Sequence, residues 1–240
     1  MRVVISQSMY FPWVGMLEQI RLADVFIHYD DVQFSKGSFS NRVQVKQPDG
    51  TSAWMTIPLS GLKLGQRIDA VTPAPAAQWA GKHLALLTRA FDGAPHRDAA
   101  LSIAEAVLAG DTSTLAAVAR ASMLALAEQF GLTASTRFLD AATMGIGGSG
   151  SQRVLDLVKA AGGDTYVTGH GARNYLDHAL FEREGVAVEY IDYQKRPYPQ
   201  LHGSFTPYVT GLDLVANCGA AGIGYIVSTS RHWKDFLHGT

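Results

Sequence analysis

Residues 3–29 read "VVISQSMYFPWVGMLEQIRLADVFIHY". Val3 to Ile5 make a short apolar strand, and "SQSMYFPW" after it has no regular period. In "VGMLEQIRLAD" the apolar residues Met16, Leu17, Ile20 and Ala23 recur at helical spacing. "VFIHY" is a second apolar run. A strand, a helix and a strand within about thirty residues make a βαβ unit, whose two strands lie parallel.

Outward from that unit the pattern changes and then returns. "NRVQVK" alternates, "PDGT" supplies a turn and "SAWMTIPL" continues with β character, which predicts an antiparallel hairpin. Residues 76–131 are alanine-rich and helical in three pieces, broken at "DGAPH" and "AGDTS", with Asp111 or Thr112 as the expected N-cap of the third. "TASTRFLD" then reads as a strand. "MGIGGSGSQRVLDLVKAAGG" reads as a glycine-rich loop, a helix and a glycine stop. "DTYVTG" is a strand, "ARNYLDHALFEREG" a helix stopped by Gly185, and "VAVEYIDY" a strand. The expected class is α/β: one domain over residues 1–240, with a mainly parallel, Rossmann-like sheet flanked by helices. A β-hairpin and a helical insertion at 76–131 occupy its middle.

At 240 residues the chain can bury a full core on its own. Its 20 lysines and arginines against 21 aspartates and glutamates argue against a general polyanion binder and against DNA, while leaving room for a small phosphorylated ligand. A single cysteine, Cys218, excludes an internal disulfide and a cysteine-rich metal site. The eight histidines show no metal-ligand spacing, so no metal is expected. The opening apolar run is too short for a signal peptide, and no window reaches the length of a spanning helix. The expectation is a cytoplasmic chain without membrane insertion.

Ligands of open parallel sheets bind beyond the carboxyl ends of the strands. That rule selects "SQSMYFPW", "DDVQFSKGSFSNR", "GHGARN" and "QKRPYPQLHGSF". Asp30 and Asp31 suit Mg²⁺ with a phosphate, the orientation of an amine, or general-base work; solvated carboxylates at a strand-end turn fit as well. Adjacent strand residues point to opposite faces, so at most one of them faces a site, and Asp31 lies further past the apolar run. Arg42, beside Asn41, suits a bidentate clamp on phosphate or carboxylate, or a structural tie to an aspartate. Lys36 lies on flexible backbone. His170, between Gly169 and Gly171, is the foremost titrating base, with His202 behind it. Cys218 falls at the wrong end of a helix for a lowered thiol pKa and reads as a small buried hydrophobe.

Four blocks carry a resemblance. "ISQSMYFPWVGM", "DVFIHYDDVQFSKGSFSNRVQVK", "TYVTGHGARNYLD" and "YPQLHGSFTPYVTGLDLVANCG" are similar, in that order, to the blocks of the WbqC-like protein family. Those blocks run "xHQPxYxPWxG", "ADVFxxxDDVQxxKxxxxNR", "YxSGxGxxxYL" and "YxQxxxxFxxxxSxxDLLFNxG". The matching polar positions are Gln7, Tyr10, Asp30, Asp31, Gln33, Lys36, Asn41, Arg42, Gly169, Tyr175, Gln200, Asp213 and Asn217. Ser6 stands where the family has a histidine, Ser8 and Met9 replace its proline and asparagine, and Gly211 replaces a serine. Any catalytic role of that histidine therefore passes to another group or is absent here.

The resemblance implies work in bacterial surface-polysaccharide clusters: O-antigen or lipopolysaccharide biosynthesis, and in particular amino sugars acylated with glycine. The implied activity is that of a transferase moving an acyl or aminoacyl group to the amine of a nucleotide-linked amino sugar. Asp31 and His170 are the expected catalytic residues. Gln7, Tyr10, Asp30, Lys36, Asn41, Arg42, Gly169, Asn174, Gln200 and His202 are expected to bind substrate. No cofactor is firmly implied; the donor stays open among an acyl-coenzyme A, an acyl-carrier protein and an aminoacyl-tRNA. Two other readings stand beside it. One is a nucleotide-binding enzyme of the nucleotidyltransferase type, for which "IVSTSRHW" bears a faint serine–threonine–arginine likeness. The other is a catalytically silent ligand-binding or scaffold protein.

Overall fold

The computed structural model describes residues 1–238. β1 (Arg2–Ser6) and β2 (Val25–His28) pair in parallel, Val3 beside Val25 and Ser6 beside His28, with α1 (Val14–Leu22) between them in sequence. All four residues of β2 are buried, as they must be in a central strand covered on both faces. The chain then leaves the sheet for a hairpin of β3 (Arg42–Lys46) and β4 (Ser52–Thr56), in which Arg42 faces Thr56 and Lys46 faces Ser52. Its turn needs a glycine: Gly50 has φ 82°, and an added Cβ would sit 3.3 Å from the carbonyl of His202. A short pair, β5 (Leu59–Ser60) with β6 (Thr72–Pro73), follows.

Three helices come next: α2 (Ala80–Ala90), α3 (Arg97–Ala109) and α4 (Leu115–Gln129). The breaks fall at "DGAPH" and "AGDTS", but the cap of α4 is Thr114, whose hydroxyl accepts from the amide of Ala117 at 3.1 Å. The Asp111 carboxylate instead closes a local turn on the amide of Ser113 at 2.8 Å, which places Thr112 outside the helix start. β7 (Arg137–Asp140) then joins the sheet beside β2.

The second half returns to alternation: α5 (Gly150–Ala160), β8 (Thr165–Thr168), α6 (His178–Arg183), β9 (Ala187–Asp192) and α7 (Gly211–Cys218). Helix α6 starts later than the periodicity of "ARNYLDHALFEREG" implies. Asp177 caps it by accepting from the amide of Leu180 at 3.0 Å, and residues 170–174 form a separate tight turn. Two elements at this end of the chain were not expected, nor was the short β6. β10 (Thr229–His232) runs antiparallel to β9 and is followed by α8 (Trp233–His238).

The main sheet has the order β10-β9-β8-β1-β2-β7, parallel except for β10. Each face is covered by its own core. Val4 and Phe26 pack with Leu17 and Ile20 of α1 and Met123 of α4, while Val3, Ile5, Val25 and Ile27 pack with Leu155 and Val158 of α5. Burying such side chains contributes roughly 1.5–3 kcal/mol each. Gly15 sets the entry of α1, because a Cβ there would lie 2.2 Å from the indole of Trp13, itself held between Tyr193 and Tyr208. No helix among the described residues is long and apolar enough to cross a membrane.

Candidate functional site

The strand order reverses at one place. From β1 the chain builds outward to β2 and β7, then returns to lay β8 against the other side of β1. At such a switch point the loops leaving the two strands diverge and open a crevice at their carboxyl ends. A cleft of about 400 Å³ lies there.

Each wall comes from a strand exit. β1 supplies Ser6 and Gln7, and β2 supplies Tyr29. β8 supplies Thr168, Gly169 and His170, with Tyr175 from the turn beyond. α1 contributes Gln19 and the end of β9 contributes Tyr193. Among the described residues lining the cleft there is no aspartate, glutamate, lysine or arginine. Four tyrosines line it, and in each burial raises the phenol pKa: strongly for Tyr193 and Tyr166, less for Tyr175, and in Tyr29 against the opposing pull of Arg153. These hydroxyls stay protonated at neutral pH, so the lining is uncharged and rich in hydrogen-bonding groups.

His170 is oriented. Its Nε2 lies 2.7 Å from the carbonyl of Ile191, and a carbonyl only accepts, so Nε2 carries a proton and it is Nδ1 that has a lone pair in the neutral ring. The ring meets Tyr193 edge-on at 5.0 Å and Phe236 at 4.8 Å. Gln19 Nε2 donates to the Tyr193 hydroxyl at 2.6 Å. Gly169 lies against that pair, since a Cβ would come within 3.3 Å of the hydroxyl and 3.4 Å of the amide nitrogen.

Of the residues expected from sequence, the cleft brings together Gln7, Gly169 and His170, with the exposed Asn174 on the same tight turn as His170. The others lie elsewhere. Asp30 is wholly buried, accepting from the Ser8 amide at 2.8 Å, the Ser8 hydroxyl at 2.7 Å and Arg120 Nε at 2.6 Å. Asp31 is clamped by Arg153 of α5, whose guanidinium lies 4.9 Å from the centre of the Tyr29 ring. Its other carboxylate oxygen is buried without a partner among the described residues. Asp31 thus sits behind the wall that Tyr29 and Val154 present to the cleft, and is not itself a lining residue.

Tyr10 is fully buried, its hydroxyl 2.9 Å from Nδ1 of His83. Asn41 donates to the carbonyl of Ile57 at 3.0 Å. Arg42 donates to the carbonyl of Gly37 at 2.7 Å and stacks on Trp54 at 4.2 Å, and Lys36 is exposed on the loop before it. Gln200 accepts from Lys46 at 2.9 Å and donates to Asp213 at 2.9 Å. His202 lies 2.7 Å from the carbonyl of Ala90. Apart from the exposed Lys36, these residues tie the hairpin and the loop after β9 in place.

Sequence reading missed Tyr29, Tyr193 and Gln19 in the cleft, and Arg120 and Arg153 behind it. The signal for the arginines was present: adjacent acids on a buried strand point to opposite faces, and each needs a cation from the helix on its own side. Cys218 does sit in the last turn of α7, half-buried, with its thiol pKa raised by burial and the nearby Asp213. The serine–arginine segment near the carboxyl end is used structurally. Ser230 bonds Glu189 at 2.5 Å and Arg231 pairs with Asp192 at 3.3 Å, both across β9 and β10.

Comparison with known proteins agrees with the four sequence blocks. The chain is 31% identical over 227 residues, 94% of its length and 97% of the other's, to the uncharacterized protein Rv1507c of Mycobacterium tuberculosis (strain ATCC 25618 / H37Rv). No solved structure matches it. The WbqC-like protein family matches over residues 7–225, a span that includes the cleft lining from Gln7 to Tyr193, and the chain belongs to that family.

Proposed function

We propose that the cleft is the acceptor site of a transferase that moves an acyl or aminoacyl group, glycyl in type, to the amine of a nucleotide-linked amino sugar in surface-polysaccharide assembly. The supporting observation is the meeting, in one cleft, of an uncharged hydrogen-bonding lining with a histidine whose tautomer is fixed. A sugar ring offers hydroxyls to Gln7, Thr168 and the phenols, and an apolar face to a tyrosine.

In the proposed reaction the amine nitrogen attacks the carbonyl carbon of the donor, forming the C–N bond. His170 Nδ1 takes the proton released from nitrogen. Backbone amides of the 169–171 turn are the proposed donors to the oxyanion, which collapses to the amide as the bond to the donor's sulfur or oxygen breaks, and His170 returns the proton to the departing thiol or alcohol. Asp31 acts at one remove, through Arg153 and Tyr29, as a positioning residue and not as the base. The reaction belongs in the cytoplasm on this reading.

The lack of a lining cation weighs against nucleotidyl transfer, whose triphosphate needs positive charge at the reacting centre. The engagement of Ser230 and Arg231 within the sheet edge weighs the same way.

The test is turnover of a nucleotide-linked amino sugar with an acyl donor by wild type and His170→Gln. The reading expects turnover to fall on the order of 10²-fold with binding of the sugar nucleotide kept. Equal loss of both, or of neither, contradicts it. Tight binding with no turnover in the wild type points to a silent ligand-binding protein.

A further inference from the structure

A second pair of cavities lies on the hairpin side of the molecule and shares no lining residue with the cleft. One, of about 420 Å³, runs between β4 and α2 and has Trp54 and Lys82 in its wall. The other, of about 480 Å³, is bounded by Thr88, Arg97 and His202. Ala85 and Arg89 line both, so the two form one trough along the outer face of α2.

The charge in this trough is out of keeping with the chain as a whole. The formal net charge is −1, yet Lys82, Arg89 and Arg97 line the trough against Asp92 among the described residues. Asp98 offsets Arg97 from outside at 3.6 Å. Arg89 is held only by a 3.2 Å bond to Gln47, and Lys82 has no carboxylate partner among the described residues. Lys82 and Arg89 are seven residues apart on one helix, two turns and about 10 Å along its axis, so both project from the same face.

At one end stands Trp54, 43% exposed, with the Arg42 guanidinium 4.2 Å from the centre of its ring and Phe39 at 6.0 Å. An indole held in place by neighbours, followed by a row of cations, presents a stacking surface and then phosphate partners.

We propose that this trough binds a nucleotide carrying two or more phosphates, its base against Trp54 and its phosphates along Lys82 and Arg89. The site stands apart from the cleft and does not depend on the chemistry assigned there. If both readings hold, the trough takes the phosphorylated donor while the cleft takes the acceptor.

The probe is coenzyme A, followed by calorimetry at two salt concentrations, with adenosine and a short single-stranded RNA as the other arms. Wild type is expected to bind coenzyme A, more weakly at higher salt, and to show no binding of adenosine. Lys82→Glu/Arg89→Glu, at two exposed positions, is expected to weaken binding on the order of tenfold or more, with an unchanged thermal midpoint confirming the fold. Trp54→Phe, which keeps a ring, is expected to bind better than Trp54→Ala. His170→Gln leaves this binding intact, so loss of transfer and loss of this site are read separately. No binding by wild type overturns the proposal, as does binding indifferent to the trough variants or equal for adenosine. RNA binding without coenzyme A binding overturns it in favour of a polynucleotide surface.

Discussion

Arg120 Nε lies 2.6 Å from a carboxylate oxygen of Asp30, whose side chain has no exposure to solvent. The next residue, Asp31, is held by Arg153 from the helix on the opposite face of the sheet. One acid thus turns toward α4 and the other toward α5, and the pair anchors both helices to the carboxyl end of β2. Their position just past the strand, two and three residues beyond His28, is what suggested a ligand site in the sequence. The structure shows the anchoring that holds Tyr29 in the cleft wall.

Removing either arginine strands a carboxylate that is wholly or largely buried. Arg153→Met and Arg120→Met are each expected to lower unfolding free energy by about 3 kcal/mol. Urea midpoints measured at constant m-value check this. A loss under about 1 kcal/mol for both contradicts the anchoring role.

Acid should destabilise the fold through two buried histidines. Burial pulls the pKa of His28 from 6.5 down to about 4, with Asp30 pushing the other way, and burial does the same to His83. Between these values the unfolded chain binds protons that the folded chain refuses, so stability is complete above pH 6.5 and drains as pH falls toward 4. His83→Gln removes one such proton and should flatten the slope by up to about 1.4 kcal/mol per pH unit. Urea titrations at several pH values read the slope directly, and an unchanged slope in the variant counts against it.

Lys46 is 2% exposed, and its ammonium donates to Gln200 at 2.9 Å and to the carbonyl of Ser204 at 2.6 Å. Lys46→Met keeps the volume, leaves the Ser204 carbonyl unpaired and leaves Gln200 Oε1 with the Thr206 amide alone, at a cost of about 1–3 kcal/mol. Hydrogen exchange should quicken across residues 200–206 more than in the central strands. Uniform protection there would show that the loop is held by other contacts.

Gly169 has φ −80°, so its backbone tolerates a side chain, but a Cβ would press on Tyr193 and Gln19. Gly169→Ala is expected to keep the thermal midpoint within a few degrees while weakening ligand binding in the cleft. A variant that binds as the wild type does would place the ligand away from Tyr193.

The fold was largely legible because its signals are local. The buried run of β2, the helical spacing of α1 and the turn at "PDGT" each follow from a short window. β10 escaped because its strand pairing is fixed by distant partners, Ser230 to Glu189 and Arg231 to Asp192, and not by apolar periodicity. Less of the candidate cleft was legible, for the same reason. Glycines around His170 at a strand end are visible in sequence, whereas Tyr29, Gln19 and Tyr193 converge only once β8 is laid beside β1. Arg42, Asn41 and Gln200 look like ligand contacts in a linear reading, yet their polar groups are spent on backbone carbonyls and a buried network.

The most direct test of the cleft is calorimetric titration of a nucleotide-linked amino sugar into wild type and Tyr175→Ala, with the hydroxyl analogue of the sugar alongside. Tyr175 lines the cleft with 66% of its surface exposed, so its removal should spare the fold. The account predicts that wild type prefers the amino sugar to the hydroxyl analogue and that Tyr175→Ala weakens binding on the order of tenfold, the worth of one stacked ring. Equal affinity for amine and hydroxyl, or binding that Tyr175→Ala leaves untouched, would contradict it.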